Sequence, residues 1–294
     1  MRSYFTYYSN KTLSVSSTLL PATLAYKQRV EAGGGSVHNI NYVNECYQFI
    51  ADVGITGSNN GCWINAHFGN KINGSNQVEK AYCLFGNDMV PVTQNTSRVL
   101  LTSVINNQKS YSFERGALKV ESASYSVSSG KVTVGMVSVV TAFETIIFAE
   151  YSDNFNSNSG WGTFMEDSSG RLTAGIKPLP DAYSISQVTE INTPNIVTNR
   201  VTTFDLSRSS NESSQLVNGY TSTVFGNYNI DNPNDYVLSA QPLYLGGRGG
   251  TNFLTNKAHV NGLSVLPVTL SDAVRSRYST LLSKPYEASF YADM

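Results

Sequence analysis

Apolar positions along the chain fall into two regimes. In the first third they recur every three or four residues, and from about residue 110 they recur at every second residue. The first spacing predicts helices, because 3.6 residues complete a turn, and the second predicts strands, whose side chains alternate between faces. Residues 21–32 carry Ala22, Tyr26 and Val30 at four-residue intervals, begin at Pro21 after Thr18, and stop at Gly33-Gly34-Gly35. A second helix is capped by Asn39, holds Val43, Cys46, Tyr47, Ile50 and Val53 on one stripe, and ends at Gly54. After the turn-rich Gly57–Gly61, residues 77–86 read as a further short helix packed through Val78, Tyr82 and Phe85. Residues 1–105 are thus expected to form a small helical N-terminal segment, too poor in apolar residues to stand alone, that docks on the strands after it or on a neighbouring subunit.

Beyond that boundary, residues 106–294 read as a run of strands. Residues 131–140 (KVTVGMVSVV) are apolar on both faces, as in a central strand with both sides covered. Residues 145–150 are similar, and residues 161–165 reach the turn Glu166–Gly170 before residues 171–176 return. Residues 199–206 are another strand, and Asn218-Gly219 between two such runs is a hairpin signal, since a type I′ turn needs positive φ at both central residues. Residues 242–248 and 258–266 come next. A last helix starts at Ser271 with Val274, Tyr278 and Leu281 on one face. The fold expected is mainly β and antiparallel.

Composition narrows the function. Charged residues make up 14% of the 294, against roughly 25% in soluble proteins, and 18 tyrosines and 23 glycines help fill the space. The 20 basic and 21 acidic residues give a net charge of −1, without the clustered cations that nucleic acid or anionic lipid requires. Apolar runs are far shorter than the ~20 residues of a membrane helix. The start, Met1 to Tyr8, lacks the apolar core of a secretory signal, so the chain is expected to stay where it is made. Cys46, Cys62 and Cys83 have no C-x-x-C spacing and read as reduced, packed thiols ahead of a disulfide or metal site.

Catalytic patterns fail one by one. Glycosidases place two carboxylates about 5 to 9.5 Å apart, whereas Glu144 and Glu150 in one extended strand would stand roughly 20 Å apart. His38, His67 and His259 show no metal-ligand spacing. No nucleophile elbow occurs, and Gly246–Gly250 lacks the Lys-Ser/Thr of a phosphate loop. No catalytic residue is assigned.

Two acidic-amide loops remain, residues 151–158 and 229–235. The first offers Asp153, Asn154 and Asn156 as oxygen ligands for a hard cation such as Ca²⁺, without the glycine and terminal glutamate of an EF-hand. No other cofactor is implied. Tyr151, Asp153, Asn156 and Trp161 together offer aromatic faces beside amide and carboxylate groups, the pairing a glycan or protein partner needs. The plain solvated loop stays the first reading of residues 151–158, and core packing the first reading of Trp161.

Four stretches resemble the laminin-G-like, concanavalin A-like lectin jelly roll across residues 110–284. They are SFERGALKVESASYSVSSGKVTVGMVSVV, WGTFMEDSSGRLTAGI, LVNGY, and LYLGGRGG followed by HVNGLSVLPVTLSDAVRSRYSTLL. The resemblance implies an antiparallel β-sandwich. AYKQRVEAGGGSV and WINAHFGNKINGSNQVEKAYCLFG resemble segments of tailed-bacteriophage virion proteins. That second resemblance implies a capsid or tail decoration assembled in the host cytoplasm, with other virion proteins and host surface glycans as partners, and a homo-oligomer. A stand-alone carbohydrate-binding module is the alternative, and a polysaccharide depolymerase stands behind both.

Overall fold

The computed structural model describes residues 18–55, 61–92, 98–105, 107–122, 131–140, 146–151, 160–165, 171–179, 182–190, 197–205, 210–217, 220–229, 242–248, 252–253 and 255–286. Among them, three α-helices stand where the periodicity places them. Helix α1 is Pro21–Ala32, α2 is Ile40–Asp52 and α3 is Asp272–Ser283. The Asn39 side chain caps α2 by accepting from the Tyr42 amide at 2.9 Å, and Gly54 closes it with φ of +68°. Ser271 precedes α3 in extended conformation but gives no side-chain cap. No described helix is long and apolar enough to cross a membrane.

Twenty strands account for most of the other described residues. In chain order the first ten are β1 (Ser36–Val37), β2 (Cys62–Asn65), β3 (Gly69–Ile72), β4 (Val78–Ala81), β5 (Met89–Val92), β6 (Arg98–Ile105), β7 (Gln108–Glu114), β8 (Ala117–Val120), β9 (Lys131–Val140) and β10 (Ile146–Tyr151). The second ten are β11 (Gly160–Met165), β12 (Arg171–Leu179), β13 (Ala182–Glu190), β14 (Val197–Asp205), β15 (Ser210–Val217), β16 (Tyr220–Asn229), β17 (Leu243–Leu245), β18 (Gly247–Arg248), β19 (Asn252–Phe253) and β20 (Thr255–Leu266). Ten of them form one sheet in the order β1-β3-β4-β5-β8-β17-β10-β11-β12-β13. Eight form the second, β16-β15-β14-β9-β20-β7-β6, with β2 also paired to β20. Every described pairing is antiparallel, as expected.

The short helix read over residues 77–86 is instead β4 and a turn. Val78 and Ala81 are buried while Glu79 is exposed, and β4 pairs with β3 and β5. The overlooked signal is turn chemistry. Asn73 Oδ1 accepts from the Ser75 and Gln77 amides at 2.9 and 3.1 Å, and Asn76 adopts φ of +58°, so the chain reverses just before Val78.

Residues 36–105 therefore supply strands β1 to β6 to both sheets, alongside the helices expected there. Strand β9 is central in its sheet, between β14 and β20. Strands β15 and β16 are joined across Asn218-Gly219 with Val217 opposite Tyr220, and β11 and β12 pair with Met165 opposite Leu172. One continuous core unites the sheets: Leu118, Leu243 and Leu245 from one, Ile64, Phe113, Met136 and Leu263 from the other. At Gly246, just after β17, a Cβ would lie 2.4 Å from the Phe113 ring of β7, so the two layers touch there too closely for a side chain.

The other face of the second sheet is covered by helices. Phe49 of α2, Trp63 of β2 and Tyr278 of α3 form one aromatic cluster, with Phe49 stacked on Tyr278 at 5.2 Å and Trp63 edge-on to Tyr278 at 5.5 Å. This covering explains why residues 131–140 are apolar on both sides. At Gly135 a Cβ would stand 2.5 Å from Tyr278 Oη, so α3 lies directly on the backbone of β9.

Candidate functional site

The fold gathers part of the site read from the sequence. Tyr151 ends β10 directly opposite Trp161 of β11, and on its other side opposite Leu243 of β17, whose side chain is fully buried. The two aromatic residues thus stand at one level of the sheet, at the loop end of the β10–β11 hairpin. Asp153, Asn154 and Asn156 belong to the loop joining these strands, which lies outside the described residues, as do residues 230–235 of the second acidic-amide loop and Glu144. Glu150 falls opposite Gly162 and Tyr244. Among the described residues no group of three or more His, Cys, Asp or Glu is placed to hold a metal ion.

Two histidines that are far apart in sequence come together. The His38 amide donates to the Phe68 carbonyl at 3.2 Å and the Asn39 amide to the His67 carbonyl at 3.0 Å. Burial pushes His67 down to about 3, with His38 and Lys109 adding to it, and pushes His38 down to about 4, with Lys109 adding. Both imidazoles are neutral at ordinary pH. The charged group that acts on them is a lysine, which opposes a bound cation, so the pair has neither the charge nor the ligand set of a metal centre.

A second concave feature escaped sequence reasoning. Helices α1 and α2 and the turn at residues 84–86 enclose a groove of about 680 Å³ lined by Tyr26, Arg29, Tyr47, Ile50, Leu84 and Phe85. Its polar groups are tied down. Arg29 Nη1 donates to both Asp88 oxygens at 2.7 Å, its Nη2 donates to the Cys83 carbonyl at 2.5 Å, and its guanidinium lies 5.4 and 5.6 Å from the Tyr26 and Tyr82 rings. Tyr47 Oη donates to the Leu84 carbonyl at 2.7 Å and Tyr26 Oη to the Tyr82 carbonyl at 2.9 Å. Arg29 and Asp88 are too far apart in the chain for any spacing rule to join them; only the excess of tyrosine hinted at such a surface.

No family model matches the chain, and no curated protein matches it in sequence. Solved structures do match. The receptor-binding domain of botulinum neurotoxin D aligns with a TM-score of 0.52 at 13% identity, over 76% of this chain and 52% of that one. Trypanosoma rangeli sialidase, solved as a covalent intermediate with 2,3-difluorosialic acid, aligns with a TM-score of 0.51 at 13% identity, over 76% of this chain and 32% of that one. A CBM40 module of Ruminococcus gnavus IT-sialidase, bound to α2,3-sialyllactose, covers 51% of this chain and 82% of its own at 13% identity, and at a TM-score of 0.40 it carries no weight. The chain therefore spans about half of the toxin domain and a third of the sialidase. At such identities the likeness is one of fold, and the fold is a lectin-like β-sandwich.

Proposed function

We propose that this chain is a non-catalytic recognition protein that binds a carbohydrate at the loop end of its β-sandwich. The observation that carries the reading is the register of β10 and β11, which sets Tyr151 and Trp161 opposite each other beside the loop bearing Asp153 and Asn156. Sugars present CH faces flanked by hydroxyls, so an aromatic pair next to amides and a carboxylate is the matching chemistry. Two solved neighbours with TM-scores above 0.5, a toxin's receptor-binding domain and a sialidase, lend support at the level of fold. A glycan array that includes sialylated chains tests it. Trp161→Ala should weaken binding at least tenfold, about 1.4 kcal/mol or more. An empty array, or one unchanged by that substitution, overturns the proposal. If Asp153, Asn154 and Asn156 hold Ca²⁺ in support of the sugar, EDTA lowers the affinity and added Ca²⁺ restores it.

The laminin-G-like stretches and the phage-like stretches of residues 25–37 and 63–86 support a further element of the proposal. The chain serves in a bacteriophage virion, as a homo-oligomeric capsid or tail decoration that meets host surface glycans. Electron microscopy and adsorption of particles lacking the chain decide this: unchanged particles that adsorb normally remove it. The sialidase likeness favours one second reading, an enzyme acting on the same glycans. New reducing ends, or sialic acid released from a host polysaccharide incubated with the chain, would establish that reading instead.

A further inference from the structure

Cys62 and Cys83 lie on different layers of the sandwich. Cys62 is the first residue of β2, which pairs with β20 in the second sheet, and Cys83 lies in the connection from β4 to β5 in the first. Both are free and fully buried. Their backbones run close together, with the Leu84 amide donating to the Trp63 carbonyl at 2.9 Å. The Cys62 thiol donates to the Asn87 carbonyl at 3.7 Å, and the amide of the next residue, Trp63, donates to the Cys83 sulfur at 3.1 Å, which brings that sulfur to the backbone beside Cys62.

Cys83 sulfur is an unusual acceptor. It receives the Trp63 amide at 3.1 Å and the Phe85 amide at 3.3 Å. Two backbone amides converging on one sulfur favour a thiolate, as backbone amides favour an anion at a helix start. We propose that Cys62 and Cys83 are a dithiol pair that closes to a reversible disulfide between the two sheets on exposure to a peroxide. Burial alone pushes the Cys83 thiol up, yet the neighbouring Cys62 thiol and the hydrogen bonds from the Trp63 and Phe85 amides outweigh it, and its pKa lies below the ordinary value. Cys62 is pushed up, first by the neighbouring Cys83 and then by burial, so Cys83 is the attacking group.

The step balances with peroxide as oxidant. Cys83 thiolate attacks one peroxide oxygen, the O–O bond breaks, and the sulfur becomes a sulfenic acid while hydroxide leaves and takes a proton to form water. Cys62 then attacks that sulfur, forming the S–S bond. The sulfenic oxygen departs as hydroxide and becomes the second water with the Cys62 proton. Two thiols and one hydrogen peroxide give one disulfide and two waters. Peroxide is small enough to approach from the groove under α1 and α2, whose wall includes Leu84, Phe85 and Gly86 next to Cys83. Phe85 is the door: its ring packs on Gly61, where a Cβ would lie only 2.7 Å away.

The full chain treated with hydrogen peroxide, alkylated, and digested with chymotrypsin, which cuts after Phe49 and so separates Cys46 from Cys62, is the test. The expected product links the peptides of Cys62 and Cys83, is reversed by dithiothreitol, leaves Cys46 alkylated, and unfolds at a temperature several degrees higher because the two layers are tied. Cys62→Ser should stop at a sulfenic acid on Cys83, trapped by dimedone, and Phe85→Ala should speed closure several-fold. Three alkylated cysteines after treatment, a linkage through Cys46, or sulfenic acid on Cys62 in the native chain would each overturn the proposal. If a cysteine variant fails to fold, peptide mapping of the native chain still decides.

Discussion

His38 and His67 are held as neutral imidazoles by burial, and that has a consequence for the pH at which the fold survives. Their values of about 4 and about 3 in the folded chain lie below the 6.5 of an exposed imidazole. Between these limits the unfolded chain binds protons that the folded chain rejects, so stability rises with pH across the window. The contribution is complete above about pH 6.5 and is lost as pH falls toward 4. His259 is lowered by burial as well and adds in the same direction. The groups facing the pair are each other and Lys109, all of which oppose protonation. The urea midpoint should therefore drop measurably from pH 7 to pH 5, where most carboxylates are still ionised, and His67→Gln should flatten that drop. Equal midpoints at the two pH values would mean that water reaches these rings.

At the scale of elements, α3 is the piece whose docking is most exacting. It lies on β9 through Tyr278 and Leu282, both within 2.7 Å of where a Gly135 Cβ would stand. It is anchored to β14 by Asn199 Nδ2, which donates to the Ser279 carbonyl at 2.6 Å. Gly135→Ala should cost about 1 to 3 kcal/mol by overpacking, and adding Tyr278→Phe, which removes the nearest atom, should recover part of the loss. A neutral Gly135→Ala in chemical denaturation would show that α3 is free to shift. The helices were legible in the sequence because their information is local: Asn39, Gly54 and Pro21 sit beside the stripes they terminate. Strand β4 was not, because Val78, Tyr82 and Phe85 fit a helical stripe and only the Asn73–Gln77 turn argues otherwise. The insertion of the three-residue β17 between β8 and β10 had no local signal at all. For the candidate site, the strand carrying Trp161 was visible, Tyr151 was read as the first residue of a loop and is the last of β10, their direct opposition was not visible, and the Arg29–Asp88 clamp is a product of tertiary packing alone.

For the whole molecule, the question is whether the boundary near residue 105 divides two folding units. It falls between β6 and β7, which pair with Val99 opposite Phe113 and Leu101 opposite Tyr111. Upstream strands also pair with β8 and β20: β5 pairs with β8 along four residues from Met89 to Val92, and β2 pairs with β20 from Cys62 to Asn65. Chain lacking residues 1–105 would leave β7, β8 and β20 with unpaired backbone groups and Tyr278 without Trp63 and Phe49, a state prone to edge-to-edge association. The two tryptophans fall on opposite sides of the boundary, Trp63 in β2 and Trp161 in β11, and give each part its own probe. Single-tryptophan variants, Trp63→Phe and Trp161→Phe, should show fluorescence transitions in urea that coincide with each other after correction for the stability each loses, and with loss of β circular dichroism measured on the same sample. Two separated transitions in one variant, or a fragment of residues 106–294 that unfolds cooperatively on its own, would instead make the sandwich independent of its N-terminal strands.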